Sequence, residues 1–200
     1  YFFDENLRGG QIRSPLDFMV GSLLALNAYL PTPSSDRPNY DLLTNSLFRR
    51  SRSLEMEVLE QPTVFGWRPY YDSGYYKIWI SGTTLGLRGE LTDLLLRGAP
   101  GQGFRTNLVE WASIVSTNPG DPEVLVKEIW NLLMAVDVTK EQLYEIIDGP
   151  FLDGIPRYEW TGIWLAYTSR PTDNNAYLDA RQRLVSLLSY MLRLAEYQLA

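Results

Sequence analysis

The sequence predicts an all-α fold, an irregular multi-helix bundle of about seven to eight helices crossed by a long aromatic-rich loop. Three observations predict it. Apolar residues recur at helical spacing along most of the chain, and helix-start and helix-stop signals flank those stretches. Strand-like patterning is confined to one short stretch, Trp160 to Tyr167. At 200 residues the chain is long enough to bury a substantial core, and one domain over 1–200 is the expectation.

Taken in order, Ser14-Pro15-Leu16-Asp17 supplies an N-cap, a proline in the first turn and an acid behind it, followed by Leu16, Met19, Val20, Leu23, Leu24 and Leu30. The breaker cluster Pro31-Thr32-Pro33-Ser34-Ser35 should end this first helix. A second helix is expected from Tyr40 to about Leu59, with Leu42, Leu43, Leu47, Leu54 and Val58 inward and Arg49-Arg50-Ser51-Arg52 solvated. From Gln61 to Gly82 the periodicity vanishes, and prolines, glycines and aromatics crowd together, as in a functional loop. Helical spacing returns from Thr84 to Arg97, closed by Gly98, and again from Asn107 to Val115. Asp121-Pro122-Glu123 caps a strong amphipathic helix, and Thr139-Lys140-Glu141-Gln142 is a capping box for a short one ending at Gly149-Pro150. The final helix starts near Ala176 and carries Tyr177, Leu184, Leu188, Met191 and Ala195 on one face.

Composition excludes several chemistries. The chain has no histidine and no cysteine, so Ser-His-Asp and Cys-His nucleophile systems, disulfides, and the usual zinc, haem, copper and iron–sulfur ligand sets are absent from it. No cofactor is expected, and only oxygen-ligand metals remain chemically open. A net charge of -6 argues against binding a phosphate backbone, so nucleic acid is not an expected partner. No apolar run is long enough to span a membrane. Of 18 basic residues all but Lys77, Lys127 and Lys140 are arginine, which favours fixed, bidentate contacts. The chain opens Tyr1-Phe2-Phe3-Asp4-Glu5 and reads as a piece of a longer protein.

Within the aperiodic stretch, Tyr70, Tyr71, Tyr75 and Tyr76 are the candidate binding residues, since flat amphipathic rings stack on sugars or grip protein partners. Phe65, Gly66, Trp67 and Trp79 are expected to anchor the loop, the rings packing inward and the glycine serving the backbone. Arg88, one turn beyond Thr84 on the same helix face, is the arginine to watch for anion binding or structural pairing. Glu55, Glu57, Glu60 and Asp72 do not form an acid–base pair enforced by spacing, and Asp148 to Gly154 lacks the alternating ligands of a calcium loop. No catalytic residue is assigned, and whether the chain belongs to an enzyme stays open.

Four blocks in order, Ile12-Arg13-Ser14-Pro15-Leu16-Asp17-Phe18-Met19-Val20-Gly21, then Gln61-Pro62 with Val64-Phe65-Gly66-Trp67, then Trp79-Ile80 with Thr84-Leu85 and Arg88, and finally Arg193-Leu194-Ala195-Glu196-Tyr197-Gln198, resemble the C-terminal part of the bacterial family called domain of unknown function 1800. The tyrosine-rich insert Tyr70 to Tyr76 resembles the form found in Bacteroidetes-type members. Ser81 and Gly89 stand where asparagines are frequent in that family. The resemblance implies a mostly helical fold, an extracytoplasmic setting, and association with a protein of alkaline-phosphatase-like appearance. It implies no reaction. The expected function is therefore a binding or assembly module of a bacterial envelope or secreted protein, with a protein or a glycan as partner. The alternative is a contribution to a carbohydrate-active or hydrolytic site completed by the N-terminal region of a longer parent.

A chain without thiols or imidazoles should owe none of its stability to soft metals or disulfides. Its thermal midpoint is expected to be unchanged by excess EDTA or by reductant; a fall of several degrees in EDTA would reveal an oxygen-ligand site.

Overall fold

The computed structural model describes residues 8–67 and 74–200, with the side chains of Tyr75, Tyr76 and Pro100 outside that description. Among the described residues there are eight α-helices and no strand, so the all-α expectation holds. None of these helices is long and apolar enough to cross a membrane. The chain divides into two compact units, one formed by Tyr1–Thr106 with Gln198–Ala200 and the other by Asn107–Tyr197.

In the first unit α1 spans Pro15–Ala25, α2 Arg37–Ser53 and α3 Gly82–Arg97. The Ser14 side chain caps α1 by accepting from the Asp17 N–H, with Pro15 in the first turn. The helix ends earlier than the breaker cluster because Asn27 adopts φ +47. The Ala28 N–H then donates to Leu23 O and the Asn27 N–H to Leu24 O, the two bonds of a Schellman motif. Asp36 caps α2 through the Asn39 N–H, which moves the start ahead of Tyr40.

The α2 C-terminus repeats the same device. Glu55 takes φ +64, Met56 N–H donates to Ser51 O and Glu55 N–H to Arg52 O, so the helix stops short of Leu59. Ser51 is fully buried and Arg50 half-buried, correcting the expectation that Arg49 to Arg52 is a solvated stretch. Gly103 explains how α2 comes so close to the loop after α3. A Cβ there would lie 2.6 Å from the Leu43 backbone nitrogen, and its φ is +81. Phe18, Leu23, Leu26, Leu43, Leu54, Leu91, Leu95 and Phe104 make up the buried interior of this unit.

The second unit contains α4 Leu108–Val115, α5 Pro122–Leu133, α6 Lys140–Ile146, α7 Arg157–Ser169 and α8 Asn174–Met191. Asp121 and Thr139 cap α5 and α6 as their spacing predicts, the latter in a full capping box with Gln142. Gly149-Pro150 does not end α6 abruptly; the backbone continues as a π-helical turn over Ile147–Phe151. The strand-like stretch Trp160 to Tyr167 lies inside α7. Trp160, Trp164 and Tyr167 fall at helical spacing and stack at 5.6 Å centroid separations, while Phe151 meets Trp160 edge-on at 4.8 Å. The Trp160 indole N–H donates to Pro119 O at 2.8 Å and the Trp130 indole N–H to Val136 O at 2.7 Å, so both large rings are buried with their polar atoms satisfied. α8 packs against α4, α7 and the π turn through Leu184, Leu187, Leu188 and Met191.

Gly103→Ala is expected to cost about 2 to 4 kcal/mol, combining an unfavourable φ with a steric overlap against α2. Glu55→Gly should stabilise by about 0.5 to 1 kcal/mol, because glycine occupies that Schellman position without strain. Urea unfolding of the two variants checks the opposite signs.

Candidate functional site

Where the aperiodic segment begins, the α2 stop at Glu55 turns the chain outward, and the Arg52–Glu57 ion pair (3.2 Å) ties its base. A further left-handed residue, Leu59 at φ +70, redirects it again. The next turn is closed by Gly66 N–H donating to Thr63 O at 2.9 Å, with the Thr63 hydroxyl donating back to Gly66 O at 3.1 Å. Gly66 has φ +90 and open space where a Cβ would stand, so its requirement is conformational rather than steric.

This turn presents Val64 and Phe65 at 96 and 94% exposure, and Leu59, four residues before it, is 92% exposed. The expectation that Phe65 packs inward is therefore overturned: the Thr63–Gly66 turn points the ring into solvent. Trp67 is half-buried, and its ring lies 5.6 Å from that of Trp79, which is buried. Trp79 and Trp67 anchor the segment, and Phe65 does not. Tyr70 and Tyr71 lie outside the described residues, as do the side chains of Tyr75 and Tyr76, whose backbone forms a 3-10 turn with Lys77, Ile78 and Trp79.

Arg88 is brought to the far end of the same segment. Ser81 caps α3 in a reciprocal capping box with Thr84, so the serine found where the resembled family often has asparagine performs the cap with its hydroxyl. The Thr84 hydroxyl and Arg88 Nη2 both donate to Trp79 O, each at 3.3 Å. Arg88 Nη2 also donates to Arg13 O at 2.7 Å, and Nη1 to the Gln198 side-chain oxygen at 3.3 Å. Its guanidinium carbon stands 4.7 Å from the Phe18 ring centroid.

The side chain is fully buried, no carboxylate pairs with it among the described residues, and Nε has no acceptor. Burial, reinforced by the nearby Arg13 charge, lowers its pKa to about 10, which still leaves it protonated at neutral pH. Buried on every side, Arg88 is not available to an external anion; it fastens the Trp79 turn, the start of α1 and Gln198 together. The Arg13 Nε–H donates to Leu199 O at 2.8 Å and continues this network.

Two features escaped sequence reasoning. Leu59 reads as the end of the expected second helix and Val64 carries no periodic signal, and only the nearby Pro62 and Gly66 mark this stretch as turns. In the second unit an open cleft of about 770 Å³ lies along α5 and α7, bordered by Asn118, Glu123, Tyr158, Thr161 and Trp164. At its edge Arg157 is bound by the carboxylates of Glu123 and Asp148 and stacks 4.6 Å from the Tyr144 ring. All three of its guanidinium nitrogens are engaged, so it braces α5, the π turn and α7 rather than offering an anion site. No group of three or more acidic, histidine or cysteine side chains placed to hold a metal occurs among the described residues.

The chain matches no family model, no curated protein and no solved structure. The resemblance in its four sequence blocks accordingly carries the weight of those residues alone.

Arg88→Ala is expected to cost about 3 to 5 kcal/mol, since it empties a buried volume and strips the donor from three acceptors. Arg88→Lys should recover less than half of that loss, because one ammonium on a flexible stem cannot reproduce the fork. Denaturant unfolding with an unchanged m-value checks both; a neutral outcome for either would remove Arg88 from this role.

Proposed function

We propose that this chain is a non-catalytic binding or assembly module whose recognition element is the segment 57–67. The single observation that carries the reading is the solvent exposure of Val64 and Phe65 on the hydrogen-bonded Thr63–Gly66 turn, with the equally exposed Leu59 on the Glu57–Glu60 turn just before it. Scattered exposed apolar residues are ordinary, but three large ones almost wholly exposed within seven positions are not. Leu59 and Val64 are aliphatic and offer a sugar no stacking face, so a protein partner fits better than a glycan. Glu55, Glu57 and Glu60 flank the tip and would be repelled by an anionic lipid surface, which also favours a protein with an apolar groove and a basic rim. The four-block resemblance supports an extracytoplasmic bacterial setting for such an assembly, with a protein of alkaline-phosphatase-like appearance as the first partner to test.

The measurement is site-specific photo-crosslinking in the native cell, with the photoreactive residue at Phe65 and, as a control, at Ile114, an exposed apolar residue of α4. The reading expects a discrete cross-linked protein species from position 65 and none in common with position 114. Identical ladders at the two positions, or no adduct at 65, would defeat it. A Leu59→Ser, Val64→Ser, Phe65→Ser variant should keep its thermal midpoint within about 2 °C while losing the adducts formed by a crosslinker at Thr63.

A further inference from the structure

The outer face of α2 carries a second feature, which does not rest on the loop reading. Between α2, α3 and the 3-10 turn Pro100–Gln102 lies a cavity of about 350 Å³. Its walls include Ser46, Arg49, Arg50, Leu87, Glu90 and Gln102. The volume lies at the lower end of the range occupied by small-molecule sites.

Arg50 stands on the wall of this cavity without a counter-ion among the described residues. Arg37, Arg52, Arg157 and Arg170 each have a carboxylate within salt-bridge distance. Arg50 is half-buried and has none. Its Nη2 donates to the Gln102 side-chain oxygen at 3.1 Å, its Nε is buried without an acceptor, and Nη1 has no partner among the described residues. The Phe104 ring, with its centroid 5.9 Å from the guanidinium carbon, closes the inner side. Desolvation lowers the Arg50 pKa, with Glu90 only partly offsetting it, as expected for a charge taken out of water without full compensation. Arg49 lines the same cavity and has no ion pair among the described residues.

We propose that this cavity binds a small molecule bearing a carboxylate at one end and a hydrogen-bond donor at the other, Arg50 holding the carboxylate and Glu90 receiving the donor. Nη1 and Nη2 keep N–H groups beyond the one given to Gln102, donors that a carboxylate accepts, and Arg49 adds a second positive charge. Glu90 decides between oxyanions. A phosphate dianion in the cavity would meet the Glu90 carboxylate, whereas an amino or hydroxy acid turns its ammonium or hydroxyl toward it. Leu87 covers the short carbon segment between the two ends.

The test titrates acetate, lactate, L-alanine and inorganic phosphate into the full chain at constant ionic strength, reading amide shifts of α2 and α3 by ¹H–¹⁵N NMR. Saturable shifts with lactate or L-alanine binding more tightly than acetate, and acetate more tightly than phosphate, are expected. Arg50→Gln should weaken that binding by about tenfold or more, the cost of a lost charge-assisted pair. Arg52→Gln, whose native arginine pairs with Glu57, should leave it unchanged. Glu90→Gln alters an exposed side chain and keeps the test decisive if Arg50→Gln does not fold. It should erase the advantage of lactate and L-alanine over acetate and improve phosphate binding. No saturable shift with any carboxylate, phosphate as the tightest ligand, a folded Arg50→Gln chain that binds as before, or an unchanged ranking in Glu90→Gln would each overturn the proposal.

Discussion

A single buried cation organises the first unit. Arg88 is enclosed without a carboxylate among the described residues, so its charge is tolerable only while the backbone carbonyls of Arg13 and Trp79, the Gln198 amide oxygen and the Phe18 ring surround it. The three hydrogen-bond acceptors lie 75, 9 and 110 residues away along the chain. Satisfying one guanidinium therefore fixes the start of α1, the end of the aromatic segment and Gln198 at once. The short antiparallel pairing of Ile12 with Leu199, and the bond from Ala200 N–H to Gln11 O, extend the same junction. Thr84 shares the Trp79 carbonyl with Arg88, so the cap of α3 and the seat of the arginine are one structure.

The α2 helix has a different logic. It ends in a left-handed residue that is not glycine, and the Schellman bonds around Glu55 hold that conformation against its intrinsic cost. Its exit direction is set there, which launches the segment that presents Leu59, Val64 and Phe65. The same helix places Arg50 against Phe104 and Gln102, an approach allowed because Gly103 has no side chain to meet Leu43. The exposed tip and a small cavity thus both depend on one helix: the tip on its C-terminal stop, the cavity on its packing against the loop after α3.

The second unit is held by aromatic burial and one saturated ion network. Trp160 satisfies its indole N–H on Pro119 and packs on Phe151 and Trp164, while Arg157 gathers Glu123 and Asp148 across three elements. The carboxylates of the Asp148 to Asp153 connector belong in part to this brace, which accounts physically for a turn-rich acidic stretch without invoking a cation.

Most of the helices, and several of their starts, were legible from local chemistry alone, α7 and the start of α2 excepted. Ser14, Asn107, Asp121 and Thr139 cap through bonds to N–H groups two or three residues ahead, and such bonds depend on neighbours in sequence. The stops were less legible, because Asn27 and Glu55 adopt left-handed conformations that their side chains permit but do not demand. Trp160 to Tyr167 resembled a strand because aromatic and β-branched residues favour pleated surfaces when considered one by one; burial of the Trp160 and Trp164 face decided for helix. What only the tertiary structure decided is the fate of the arginines and aromatics. In sequence Arg88 stands out for anion binding or structural pairing and Arg50 is expected in solvent, while Phe65 and Trp67 read alike as loop anchors. Yet Arg88 is sealed among acceptors contributed from 110 residues away, Arg50 borders a cavity, Phe65 faces solvent and Trp67 leans on Trp79. Capping is a contest among near neighbours, so sequence determines it; the environment of a long side chain is set by whichever distant backbone arrives beside it, so only the folded chain does.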